Sequence, residues 1–251
     1  MKRPASPPLR PIKGRTLREI AYEELRNAML AGHFEPGQLI TIREIAALLK
    51  CGVMPAREGV QQLASQGAFE FLPNRSFRVP VHTLEELQKI FEARALLECY
   101  AAERAAGTLK PSQVRTLRRL LARLAVADEA LDASQAISTN YRFHFMIYEA
   151  CRSPYIVDAI DRLWLRIGPL HLRVFQSNRS DQHEFFSVLP QHAELVDAVE
   201  AGNGPRASII LRALLTQSLA WYEVHAFQEA PARGAEQPQA ARPAGSRTAR
   251  V

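Results

Sequence analysis

Asn140 and His144 stand four residues apart, so they share one face of any helix that contains them. His192 opens a separate apolar run with Leu195, Val196 and Val199. Two imidazoles and an amide can hold a divalent metal such as zinc, which accepts nitrogen donors readily. The same residues also read as ordinary structure, with His144 a hydrogen-bonded core histidine and His192 a capping or surface one. A second set is cationic. Arg57 and Gln61 are again four apart, and a guanidinium can grip a guanine edge through two parallel hydrogen bonds or clamp a phosphate. The alternative for Arg57, as for Arg43, is a solvated charge or an ion pair with Glu58 or Glu44. The chain has no nucleophile motif, no phosphate-cradling glycine loop and no evident general base beside the two histidines.

The elements that must position Arg43 and Arg57 are legible between Thr41 and Val79. Thr41-Ile42-Arg43-Glu44 is a capping box that starts a short helix, with Ile42, Ile45, Ala46 and Leu49 on its apolar face. After Lys50-Cys51-Gly52 the chain turns, and Pro55 fits the first turn of a second helix beginning near Met54. Ala56, Val60 and Leu63 recur at i, i+4 and i+7 and face inward, which leaves Arg57, Glu58 and Gln61 outward, and Gly67 stops the helix. Phe69 to Leu72 and Phe77 to Val81 then read as two short strands around Pro73-Asn74-Arg75-Ser76, with Arg75 near the tip and Arg78 just beyond it. Helix, turn, helix and basic hairpin in that order make a winged helix-turn-helix, an arrangement that reads duplex DNA.

The histidines belong to a different half. Thr83-Leu84-Glu85-Glu86 is another capping box, opening a helix that carries Leu84, Leu87, Ile90, Phe91 and Leu97 and ends at Gly107. Helical periodicity continues at about 111–126, 132–151, 154–175, 185–201 and 206–225, broken at Ser153-Pro154, at the polar stretch from Asn178 to Asp181 and at Gly202-Asn203-Gly204-Pro205. No strand alternation interrupts it. An all-α bundle follows, and bundles build ligand sites between facing helices. Arg94 and Glu98, four apart, read as a helix ion pair. Trp164 and Trp221 fall on apolar stripes and are assigned to packing, and His33, His82, His171, His183 and His225 have no spacing that chemistry requires.

The expected organisation is a basic disordered tail at 1–15, a winged helix-turn-helix at 16–81, an all-α ligand-binding and dimerisation domain at 82–226, and a second disordered tail at 227–251. The net charge of +6 is concentrated in the tails: +5 lies in residues 1–15 and +2 in 226–251, while 16–80 balances and 81–225 carries −1. DNA affinity in the reading segment therefore has to come from clustered arginines rather than bulk charge. Cys51, Cys99 and Cys151 are widely spaced and odd in number, matching neither a disulfide framework nor a zinc cluster, and are expected to be reduced. With no secretory signal and no apolar span of about 18 residues, the expectation is a cytoplasmic protein with no membrane association.

Two stretches, "LRNAMLAGHFEPGQLITIREIAALL" and "MPAREGVQQLASQGAFEFLPNRSFRV", resemble the DNA-binding domain of GntR-type bacterial transcription regulators, with Pro55, Arg57, Glu58 and Gly67 at the family's positions. The resemblance implies DNA contact by Arg43, Gly52, Met54, Pro55 and Arg57, with Arg75 and Ser76 at the wing tip. The chain departs from it at Gly52-Val53, where many members carry Ser or Thr followed by Arg, and at Ser76, which replaces a wing glycine. "EARALLECYAAERAA", "NYRFHFMIYEACRSPYIVDAIDRLW" and "LPQHAELVDAVEAGNGPRASI" resemble the helical FCD ligand-binding domain of the FadR-type branch.

That second resemblance implies an effector cavity touched by Arg94, His144 and His192, suited to a small organic acid, and a metal position at Asn140, His144 and His192. The family's remaining imidazole aligns with Leu214, which cannot ligate, and a neutral Asn140 stands where an aspartate is usual. Both changes lower affinity for a dication. The implied protein is a homodimeric regulator whose grip on double-stranded operator DNA responds to the effector. The competing reading is a metal-dependent hydrolase or lyase in the helical half with an appended winged helix.

Overall fold

A computed structural model describes residues 15–73, 76–176 and 188–227. Thr16 and Glu19 close a capping box at the start of α1 (Leu17–Leu30). A three-residue strand, β1 (Leu39–Thr41), runs directly into α2 (Ile42–Leu48), whose Thr41–Glu44 box forms as the sequence requires. Each such cap contributes about 1 kcal/mol by satisfying amides that have no intrahelical acceptor. The second helix, α3 (Val53–Ser65), starts one residue earlier than expected, with Gly52 as its N-cap. Ala56, Val60 and Leu63 are buried and Arg57 and Gln61 exposed, as their spacing predicts. Gly67, at φ +81°, takes the left-handed turn that ends the helix.

The wing strands are shorter than expected, β2 (Glu70–Phe71) and β3 (Ser76–Arg78), and they join β1 in a three-stranded antiparallel sheet of order β1-β3-β2. Leu39 pairs with Arg78 and Thr41 with Ser76, while Phe71 pairs with Phe77. Phe34, Phe69 and Phe77 meet edge to face behind the sheet and tie it to the helices.

The second unit is all-α: α4 (Leu84–Ala105), α5 (Pro111–Glu129), α6 (Ala133–Glu149), α7 (Pro154–Gln176), α8 (Leu189–Glu200) and α9 (Gly204–His225). Thr83 and Glu86 cap α4 as anticipated. The stretch expected to be helical from 185 begins at Leu189, its first residues lying outside the described ones. Helix α4 is the hub, packing on α9, α7 and α6, while α5 closes the bundle against α6 and α8.

The two units meet through α1 and α7. Gly168 of α7 comes so close to α1 that a Cβ there would sit 2.4 Å from the carbonyl oxygen of Met29. The Nδ1–H of His171 donates to the Leu30 carbonyl at 3.0 Å. Burial pushes the His171 imidazole down to about 4, so it stays neutral at physiological pH. Arg26 of α1 pairs with Asp161 and donates to the Tyr141 hydroxyl, which in turn donates to Asp161 at 2.9 Å. The Arg166 guanidinium packs against Gly67 at the end of α3.

Candidate functional site

On the head, Arg43 of α2 and Arg57, Met54 and Gly52 of α3 are all exposed, and Pro55 is half-buried in the first turn. Arg57 makes no ion pair among the described residues: Glu58 turns instead to Arg18, at 3.9 Å. Arg43 is likewise unpaired there, because Glu44 is committed to the Thr41 cap. Both guanidiniums are thus available to an outside acceptor. Ser76 differs from a tip residue: it opens β3 and is buried. Arg78 pairs with Glu70 across the strands, which removes its charge from the wing. Arg75 lies outside the described residues.

In the bundle, Arg94, Asn140, His144, His192 and Leu214 all line one cavity of about 380 Å³. Helix α4 supplies Arg94, α6 supplies Asn140 and His144 from adjacent turns, α8 supplies His192 in its first turn and α9 supplies Leu214. The imidazoles meet tip to tip, with 3.2 Å between their Nε2 atoms. Their tautomers follow from their other nitrogens. His192 Nδ1 lies 2.9 Å from the Val188 carbonyl, which can only accept, so Nδ1 carries the proton. The single hydroxyl proton of Tyr148 goes to Glu98 Oε2 at 2.6 Å, so at the 3.2 Å contact the Tyr148 oxygen accepts from His144 Nδ1–H. Both Nε2 atoms therefore present lone pairs to each other. Burial drives both imidazoles down from their ordinary value, so protonation is a costly way to relieve the clash.

A cation relieves it. Two nitrogens about 2.05 Å from a tetrahedral zinc stand about 3.3 Å apart, close to the separation found here. Hydrogen bonds from the opposite ring nitrogens to a carbonyl and to a carboxylate-bound hydroxyl are the usual means of orienting ligating histidines. Asn140, whose amide oxygen is a possible donor, lines the same cavity, as does Leu214, which has only methyl groups to present. Among the described residues no cluster of three or more His, Cys, Asp or Glu side chains gathers around a common point. The donor set thus suits a dication held by two neutral imidazoles and an amide, with room for an outside anion.

Arg94 forms the buried pair with Glu98 that its spacing suggested, Nε to Oε1 at 2.8 Å. That pairing does not exhaust it. The guanidinium is held between the Phe91 and Trp164 rings, 4.6 and 4.8 Å from their centroids, and its two terminal nitrogens have no hydrogen-bond partner among the described residues. Glu98 also accepts from the Trp164 indole at 2.9 Å. Spacing alone left Trp164, Tyr148 and His171 outside the site. The four-residue ladder Asn140, His144, Tyr148 was the available signal for Tyr148, while Trp164 and His171 become recognisable only once α7 is laid along the cavity.

Residues 17–79 match the family model described as bacterial regulatory proteins, gntR family, and residues 89–217 match that of the FCD domain, half of the chain by itself. The chain belongs to the GntR family of transcriptional regulators, in its FCD-bearing branch. Among GntR relatives, the HTH-type transcriptional regulator McbR of Escherichia coli (strain K12) is 31% identical over 146 residues, covering 58% of this chain and 66% of McbR, just under two thirds of its length. The HTH-type transcriptional repressor GlaR of the same organism is 28% identical over 209 residues, 76% of this chain and 89% of GlaR. The solved structure of E. coli McbR/YncC superposes with a TM-score of 0.78 at 27% identity, covering 84% of this chain and 99% of that one. The family models and these relatives describe transcriptional regulators, which favours regulation over metal-dependent catalysis for the helical half. No helix among the described residues is long and apolar enough to cross a membrane.

Proposed function

We propose that this GntR-family regulator binds operator DNA as a cytoplasmic homodimer, and that a small organic acid in the bundle cavity sets its affinity. The observation that carries the acid is the conjunction of unpartnered Arg94 nitrogens and two converging imidazole lone pairs in one buried space. A carboxylate satisfies the first, and a dication held by Asn140, His144 and His192 satisfies the second. Such an ion would act as a Lewis acid that draws the carboxylate into place. A second copy of the chain is supported by Leu96 and Tyr100, apolar side chains one turn apart that α4 exposes to solvent. Two heads are needed because a single one gives too little contact for selective binding.

Helix α7 is the route from cavity to head. One stripe of it carries Trp164 against the cavity, His171 against a small pocket beside it, and Asp161 and Gly168 against α1. His171 links the two, since it lines a small pocket that shares Arg94, Asn140 and Trp164 with the cavity and holds the Leu30 carbonyl. An acid that shifts Trp164 shifts the shelf on which α1, and through it α3, is seated.

The reading surface is tested by Arg57→Ala. Losing a bidentate base contact should weaken binding to a duplex selected from a random library by about 1–3 kcal/mol and flatten base preference at one position per half-site. Electrophoretic shifts on the selected duplex and its single-base variants measure both. Equal binding by variant and parent would remove α3 from the major groove.

A further inference from the structure

The first turn of α3 is apolar where a base-reading helix has most to gain from polarity. Val53 is 47% exposed and Met54 62% exposed, side by side on a turn whose N-cap is Gly52 with no side-chain hydrogen bond. Neither side chain can donate to a base edge or a phosphate. They are nonetheless continuous with the exposed, unpaired Arg57 one turn on and sit just past α2, which carries Arg43. A free guanidinium one helical turn from a pair of exposed apolar side chains suits a polyanion that also offers an apolar group. In the major groove the apolar group is the C5-methyl of thymine.

We propose that Val53 and Met54 are specificity-determining residues that read thymine methyl groups beside the position read by Arg57. This rests on the placement of α3 in the major groove. Adenine remains paired when thymine is replaced by uracil, so the inference concerns a single methyl group rather than a hydrogen-bonding pattern. The apolar contact is worth about one buried methylene, equivalent to about a fourfold change in affinity for each thymine read.

The full-length protein is used to select duplexes from a randomised library, and the thymines enriched next to the column that Arg57→Ala loses are then replaced by deoxyuridine. The parent should bind the uracil duplex about fourfold more weakly per replaced contact. Val53→Ser and Met54→Gln, both at exposed positions that leave the fold intact, should bind thymine and uracil duplexes alike. Equal binding of both duplexes by the parent overturns the proposal while leaving the DNA-reading role in place. Undiminished discrimination by the two variants overturns the assignment to Val53 and Met54. Failure of the parent to enrich any sequence overturns the placement of α3 and this proposal with it.

Discussion

Replacing Glu98 with alanine should cost about 3–5 kcal/mol of folding stability, read as a lower urea midpoint at unchanged slope. The Glu98 side chain is completely buried and accepts from Arg94 Nε, the Trp164 indole and the Tyr148 hydroxyl. Its removal strands a guanidinium with 5% exposure among aromatic rings, together with a Trp164 indole N–H that loses its acceptor. The change also reaches the histidines. Without a carboxylate to take its proton, Tyr148 is free to donate to His144 Nδ1, which moves the imidazole proton to Nε2 and points it at His192. That tautomer cannot ligate, so zinc uptake at the pair should fall with stability. Glu98→Gln, which retains an acceptor oxygen for Tyr148, should recover part of the zinc uptake. A variant as stable as the parent would mean that the Arg94–Glu98 pair is solvated rather than buried.

Gly168→Val should separate ligand binding from DNA binding. The added Cβ would lie 2.4 Å from the Met29 carbonyl oxygen and 3.2 Å from Leu30 Cα, both backbone atoms of a regular helix that cannot step aside alone. Helix α1 has to back away, lengthening the His171 contact to Leu30 and loosening Arg26 from Asp161. Overpacking of this kind costs about 1–3 kcal/mol. The functional effect should be larger than the stability effect: calorimetric affinity for the effector stays within about twofold, while operator binding ceases to respond to it. A variant that still responds fully would place the coupling outside the α1–α7 contact.

The local rules were enough to foresee much of this molecule. Thr41 and Thr83 cap helices because a hydroxyl and a glutamate three residues on satisfy each other's backbone, a short-range matter that four letters reveal. Arg94 and Glu98 pair because four residues make a helical turn. Thr16 and Glu19 obey the same rule at the start of α1, a helix the sequence reading did not assign. What escaped depends on distant partners. Strand β1 is three residues long, too short for alternation to register, and exists because β3 lies beside it. The helix expected over 154–175 does run through Gly168-Pro169, but its periodicity could not say that the missing side chain at Gly168 is what lets α1 approach. The tautomers of His144 and His192 are set by Tyr148, Glu98 and Val188, so no spacing of histidines alone discloses that their lone pairs converge.

The most direct test is an anisotropy titration of the selected operator duplex by the parent and by a His144→Ala, His192→Ala double variant, each with and without zinc and a panel of small carboxylic acids. The parent's dissociation constant should move by roughly 5–150-fold with an active acid, the range of ordinary allosteric coupling, and EDTA should reduce the shift. The double variant should bind the operator as the unliganded parent does and ignore the acid. A double variant that responds like the parent, or a parent indifferent to every acid with zinc present, would contradict the account.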